Sequence, residues 1–177
     1  MVVAMTNTTD SHIPTIVYVE DNAGDAVLLE EALRCRGYAT ELQVINNGKN
    51  ALHYFEVKER AKDVPPPHCI LLDAFLPLVT GAELLRFIRS SRVYDDTPVY
   101  FFAPATGEYK ALLKDHAVSK ESFINKANSW DELLLLADLL MRSATAKFDN
   151  KPVNSSNAKP EVPAKGRLRR KDEKDKG

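Results

Sequence analysis

Apolar residues follow two alternating periods along this chain, and these periods predict β-strands and α-helices in turn. Short runs rich in apolar and β-branched residues are typical of buried strands. The segments between them repeat apolar residues every three or four positions, as on one face of a helix. The predicted strands are residues 15–19, 41–45, 69–72, 99–102 and 122–125.

The helical segments also carry signals for their ends. Gly37 follows the first helix as a C-terminal glycine, and Asn47 suits the N-cap of the second. Ser129 and Glu132 form a capping-box pattern for the last helix. The predicted helices are residues 25–36, a second that begins at 47 and ends before 65, residues 81–91, residues 106–116, and a last one from 129.

Five strands that alternate with five helices predict right-handed βαβ crossovers and a parallel sheet. Such a sheet is covered on both faces, so its strands are apolar throughout, as the first, third and fourth strands are here. We therefore expect a doubly wound α/β fold with a five-stranded parallel sheet and helices on both faces.

The chain divides into one predicted domain and two polar ends. Apolar periodicity stops after residue 143, where Pro, Lys, Asn and Ser dominate, so residues 144–177 are predicted to be a disordered tail. This tail has ten Lys or Arg and five Asp or Glu, so its net charge of +5 leaves −6 for residues 1–143. We expect a flexible N-terminus at residues 1–12, a folded domain at 13–143 and a basic tail.

Composition narrows the class of protein. With 177 residues, 44% of them hydrophobic, the chain can bury one core. No run approaches the roughly 18 to 20 apolar residues of a membrane span, and the first residues lack a secretory pattern, so a cytoplasmic protein is expected. Cys35 and Cys69 have no metal-ligand spacing, and we expect both to be buried reduced thiols.

Charged residues follow three of the predicted strands directly. Glu20 and Asp21 follow the first, Asp73 the third and Lys126 the fifth, all at the edge where open α/β sheets bind ligands. Converging carboxylates repel one another unless a cation neutralises them, and oxygen ligands suit Mg²⁺. Lys126 can pair with a carboxylate or a phosphoryl oxygen, and an aspartate can act as a nucleophile that forms an aspartyl phosphate.

These residues sit in motifs that resemble the receiver domain of two-component response regulators. The motifs are VEDN at residues 19–22, LLDxxLPxxxG at 71–81 and the lysine at 126, and the resemblance spans residues 13–143. It implies a flavodoxin-like sheet in the order 2-1-3-4-5. The implied roles are Asp73 as phosphoacceptor, Asp21, Asp73 and the backbone carbonyl of Phe75 as Mg²⁺ ligands, Glu20 as a water-mediated ligand, and Lys126 as the phosphoryl-binding residue.

The resemblance also implies partners. A histidine kinase or a phosphotransfer protein would supply the phosphoryl group, and the chain looks like the single-domain receivers that associate with phytochrome-type and hybrid kinases. The roughly 34 residues after 143 are too few for a DNA-binding or catalytic output domain, so we expect output through an unidentified downstream protein. The chain would not be an enzyme beyond assisting its own phosphorylation and dephosphorylation, and a homodimer is compatible with the sequence.

The sequence departs from the family at three positions. The fourth strand ends in Ala103, where the family has Ser or Thr, and Pro104 lacks the backbone N–H that would bind the phosphoryl group. Hydrogen bonds to charged groups contribute about 1.5 to 3 kcal/mol each, so the coupling of phosphorylation to conformation should be weaker. Ala127 replaces the proline that usually follows the lysine in a cis peptide, so we expect a trans Lys126–Ala127 bond or a strained cis one.

Two alternatives remain open. The first is a degenerate receiver whose binding to its partner does not respond to phosphorylation. The second is a phosphatase of the haloacid-dehalogenase type, which also uses a strand-end aspartate. Such an enzyme normally has a second aspartate two residues later, where this chain has Phe75.

Overall fold

The computed structural model describes residues 13–61, 63–104 and 122–149, which form a single parallel sheet flanked by helices. The sheet has five strands in the order β2-β1-β3-β4-β5. They are β1 (Thr15–Val19), β2 (Glu41–Ile45), β3 (Cys69–Asp73), β4 (Val99–Ala103) and β5 (Phe123–Asn125). The predicted fold class and strand order are confirmed.

Four α-helices and one short 3-10 helix connect or follow the strands in the described part of the chain. The α-helices are α1 (Ala23–Cys35), α2 (Gly48–Arg60), α3 (Gly81–Ser90) and α4 (Trp130–Asp149), and the 3-10 turn is Arg92–Tyr94. The helix predicted at residues 106–116 lies outside the described residues. None of the described helices is both long enough and apolar enough to span a membrane.

The last helix extends past the expected end of the folded domain. We placed the end of the folded domain at residue 143, but α4 continues to Asp149, and Ala144 is completely buried against the core. Alanine and lysine favour helix even where an apolar period is hard to see, so the helix continues past the last leucine. The rest of the predicted tail lies outside the described residues, and its disorder stays a prediction.

Alternate residues of the strands bury two separate cores, one on each face of the sheet. Val17 and Leu72 belong to the core under α2 and α3, whereas Tyr18 and Leu71 belong to the core under α1 and α4. Cys69 is also fully buried, as expected, but Cys35 is exposed and that prediction was wrong. Cys35 lies off the buried stripe of α1, which is formed by Ala26, Leu29, Ala32 and Leu33.

The strand register brings the strand ends level at one edge of the sheet. Asp73 pairs with Phe102, and Ala103 pairs with Asn125, so the residues that follow β1, β3, β4 and β5 meet there. Asn22 caps the N-terminus of α1 at this edge, where its side chain accepts a hydrogen bond from Gly24 N–H at 2.9 Å. We call this side of the sheet the carboxyl edge.

Candidate functional site

Asp73 ends β3 as a buried carboxylate at the carboxyl edge. Its Oδ1 accepts a hydrogen bond from the backbone N–H of Phe75 at 2.9 Å, and its Oδ2 lies 2.7 Å from Nζ of Lys126. Gly81 at the start of α3 packs directly on the Asp73 carbonyl, where a side chain would collide. The glycine of the LLDxxLPxxxG motif therefore holds the loop against the aspartate.

Lys126 connects Asp73 to two other acids. Its Nζ lies 2.9 Å from Glu20 Oε2 and 3.0 Å from Asp25 Oδ2, and it sits 5.6 Å from the centre of the Phe102 ring. Its backbone N–H donates to the carbonyl of Ala103 at 2.7 Å, which ties the lysine to the end of β4. One ammonium group thus bridges three carboxylates.

Glu20 is only 1% exposed, so it is a buried acid although it directly follows a strand. Its Oε1 accepts from the backbone N–H of Asn22 at 3.0 Å, and its Oε2 accepts from the hydroxyl of Tyr18 at 2.8 Å as well as from Lys126. Burial raises the pKa of Glu20 above its usual range, although these donors oppose the rise.

The charge of Lys126 is held in place by its partners. Burial alone would lower the pKa of the ammonium group, but the hydrogen bonds to Asp73, Glu20 and Asp25 outweigh burial and raise it. The lysine therefore stays protonated while it faces the acidic cluster.

Three of the acids could hold a divalent ion together. Glu20, Asp21 and Asp73 each offer a carboxylate oxygen, and these three atoms lie within 4.8 Å of one another. Asp21 is exposed and would give an ion access to solvent, while the other two are buried. Such an all-oxygen donor set fits Mg²⁺, which keeps several waters and takes only one or two carboxylates directly.

The end of β4 lacks the two donors whose loss the sequence indicated. Ala103 is buried and Pro104 half-buried at the carboxyl edge, so neither a hydroxyl nor a proline N–H is available there. The Lys126–Ala127 peptide is trans, as expected. A small cavity of about 40 Å³ lies beside Ala127 and Lys126 and is large enough for water.

Two residues of this site were not foreseen. Asp25 lies in the first turn of α1, which begins at the carboxyl edge, and its carboxylate accepts from Lys126 there. Tyr18 was counted only as a strand residue. Its role had a visible signal, because residues two apart on a strand share a face and Tyr18 therefore points the same way as Glu20.

The fold and this edge fit the family that comparison with known proteins identifies. Residues 16–138 match the family model of the response regulator receiver domain, and the chain belongs to that family of two-component signalling modules.

Two relatives of this chain are a regulatory protein and a response regulator. Probable methanogenesis regulatory protein FilR2 from Methanothrix harundinacea is 30% identical over 118 residues, which cover 67% of this chain and 75% of that protein. Response regulator Rcp1 from Synechocystis sp. is 29% identical over 118 residues, which cover 67% of this chain and 80% of Rcp1. The crystal structure of the Mn²⁺-bound form of Rcp1 is similar with a TM-score of 0.59 and 23% identity, over 73% of this chain and 92% of that one.

Proposed function

We propose that this chain accepts a phosphoryl group on Asp73 from a histidine kinase or a phosphotransfer protein and signals through protein contacts. One observation carries the proposal: a buried carboxylate at the end of β3 is bonded to Lys126 and lies within a cluster of acids. Burial keeps competing water away, and the neighbouring lysine offers a positive charge where phosphoryl oxygens would arrive.

The proposed transfer uses an Asp73 carboxylate oxygen as the nucleophile. This oxygen forms a bond to phosphorus while the bond from phosphorus to the donor histidine nitrogen breaks, and the electron pair returns to the imidazole. The Phe75 N–H orients the carboxylate through its hydrogen bond to Oδ1. Lys126 loses its partner charge on Asp73 and turns to a phosphoryl oxygen.

The acidic cluster has a second role in this proposal. Asp21 and Asp73 would hold Mg²⁺ directly together with the backbone carbonyl of Phe75, and Glu20 would bind it through water. A bound Mg²⁺ supplies positive charge that neutralises the phosphoryl oxygens during transfer. The Mn²⁺-bound form of the relative Rcp1 supports a divalent ion here.

Phosphorylation by a small donor tests the proposal. We expect acetyl phosphate with Mg²⁺ to add one phosphoryl group, seen by intact-mass spectrometry, and we expect no addition to Asp73→Asn. Asp96→Asn removes an exposed acid away from the cluster and should be labelled like the wild type. A wild-type protein that stays unlabelled contradicts the proposal.

A second candidate follows from Ala103 and Pro104, which lack the donors that detect a phosphoryl group. In this case the chain is a degenerate receiver that binds its partner irrespective of phosphorylation. Amide chemical shifts with and without beryllofluoride distinguish the two. Changes confined to the β3–α3 loop favour the degenerate form, whereas changes that extend through β4, β5 and α4 favour a switch.

A further inference from the structure

The hydroxyl of Tyr18 contacts the acidic site through Glu20. The side chain is completely buried, and its hydroxyl donates to Glu20 Oε2 at 2.8 Å. This is the same oxygen that accepts from Lys126 at 2.9 Å. Tyr18 and Lys126 therefore share one acceptor atom.

Tyr18 also supports the lysine through an aromatic neighbour. Its ring packs edge-on against Phe102, with centroids 6.3 Å apart and planes at 72°. Lys126 Nζ lies 5.6 Å from the centre of that Phe102 ring. Tyr18 thus contacts Glu20 directly and is connected to Lys126 through Phe102.

The donors of Lys126 are fully used in this arrangement. An ammonium group has three N–H donors, and Nζ lies 2.7 Å from Asp73, 2.9 Å from Glu20 and 3.0 Å from Asp25. If Lys126 binds a phosphoryl oxygen, it has to weaken or leave at least one of these carboxylates. Glu20 is the most buried of the three, so a lost donor is least easily replaced there by water.

We propose that Tyr18 is a positioning residue of the phosphoryl site, because it keeps Glu20 Oε2 hydrogen-bonded when Lys126 turns to a phosphoryl oxygen. The inference rests on the proposed function and deepens it. With Tyr18 and the Asn22 N–H in place, Glu20 keeps a donor on each oxygen after the lysine moves. Lys126 can then exchange partners without leaving a buried carboxylate oxygen that lacks a hydrogen-bond donor.

The hydroxyl is suited to a constant role. Burial and the charge of Glu20 raise the pKa of Tyr18 far above its usual range, so the phenol remains a donor throughout the physiological pH range.

The test compares Tyr18→Phe with Tyr100→Phe. Tyr100 lies on β4 on the same face of the sheet, and its hydroxyl pairs with Ser143 at 2.7 Å, away from the acids. Beryllofluoride serves as the phosphoryl probe, and its affinity for Mg²⁺-saturated protein is followed by ¹⁹F NMR. Mg²⁺ affinity without beryllofluoride is measured by calorimetry, and urea unfolding reports stability.

We expect Tyr18→Phe to weaken beryllofluoride binding roughly tenfold, the usual loss when a residue behind a ligand is removed. Mg²⁺ affinity should fall less, because Lys126 stays on Glu20 when no phosphoryl mimic is bound. Tyr100→Phe should alter neither. In a Glu20→Gln background, Tyr18→Phe should weaken beryllofluoride binding no further, since the tyrosine acts through that carboxylate.

The contrary outcomes are distinct. The inference is overturned if Tyr18→Phe leaves beryllofluoride affinity unchanged, or if Tyr100→Phe loses as much of it. It is also overturned if Tyr18→Phe weakens Mg²⁺ and beryllofluoride binding equally, or if it has its full effect in the Glu20→Gln background. Each of these results leaves the proposed function intact. A wild-type protein that binds neither Mg²⁺ nor beryllofluoride overturns the proposed function and the inference with it.

Discussion

Gly81 lies against the backbone carbonyl of Asp73 so closely that a Cβ atom at residue 81 would overlap the carbonyl oxygen. The same Cβ would also lie 3.1 Å from the Phe101 ring. The start of α3 and the end of β3 are therefore packed backbone to backbone beside the proposed phosphoacceptor.

Gly81→Ala should lower the free energy of unfolding by about 1 to 3 kcal/mol, as overpacking usually does. Gly24→Ala is the matched control in the first turn of α1, where the nearest neighbour is the end of the Asn22 side chain at 3.1 Å. Urea unfolding of the two variants checks this. The packing argument fails if Gly81→Ala is as stable as Gly24→Ala.

Lys126→Met should destabilise the protein, because it leaves Glu20 and Asp73 buried without their shared cation. Removing one partner of a buried ion pair costs about 3 kcal/mol. Lys58→Met removes a partly exposed cation that lies over the Tyr54 ring, and it should change stability by no more than about 0.5 kcal/mol.

The same Lys126→Met variant should regain stability with Mg²⁺ more strongly than the wild type does, since the proposed ion would replace the lost charge. Urea unfolding with and without Mg²⁺ measures both effects. Wild-type stability of Lys126→Met in the absence of Mg²⁺ would contradict the role given to the lysine.

Sequence patterns were sufficient for the sheet but not for every member of the site. The buried strands are nearly continuous apolar runs, so their number and parallel arrangement followed from residues such as those of β1 and β3. Glu20, Asp21, Asp73 and Lys126 follow strands directly, so their meeting at one edge also followed. Asp25 comes from a helix, and its approach to Lys126 depends on how α1 packs, which no local pattern encodes.

The errors have equally local causes. Cys35 was judged by residue type, because free cysteine is commonly buried, whereas the helical stripe of α1 excludes it. The end of the folded domain was placed at residue 143 because Ala144 is a small residue in a polar segment, and its burial depends on tertiary packing.

The thiols should differ sharply in reactivity. Cys35 is exposed, whereas Cys69 is completely buried and its burial raises the pKa of the thiol to about 12. We expect a disulfide reagent such as DTNB to modify one thiol rapidly in the folded wild type. In folded Cys35→Ser we expect no rapid modification. Rapid modification of both thiols in the folded protein is the contrary result.

Glu83 should give α3 a pH-dependent contribution to stability. Hydrogen bonds from the Thr80 backbone and hydroxyl hold the pKa of Glu83 below its usual range. A lowered folded-state pKa means that the contribution is complete above the unfolded value, about 4.3, and is lost as the pH falls through the folded value.

Glu83→Ala should therefore be less stable than the wild type near neutral pH, and the difference should shrink on acidification below about pH 4.3. Glu30→Ala, at an exposed position within α1, serves as the control. Urea unfolding across this pH range measures the difference. A gap between wild type and Glu83→Ala that is constant with pH would show that the capping box has no charge contribution.

A glycine at position 78 should make the protein more stable than an alanine there. Its φ of 71° lies in the left-handed region, and 82% of the residue is exposed, so little packing offsets the strain. This conformation costs a residue with a side chain about 1 to 2 kcal/mol. We expect the free energy of unfolding, measured with urea, to be about 1 kcal/mol higher for Leu78→Gly than for Leu78→Ala. This is the reverse of their order at ordinary positions.

The bridging of three carboxylates by Lys126 has a consequence for the whole carboxyl edge. Because one amine is the common counter-ion of Glu20, Asp25 and Asp73, its position balances the pull of all three. A change in the charge of one acid shifts the amine and so changes its distance from the other two acids. The acids therefore behave as a single electrostatic unit, and an event at Asp73 can reach α1 through Asp25 without passing through the end of β4.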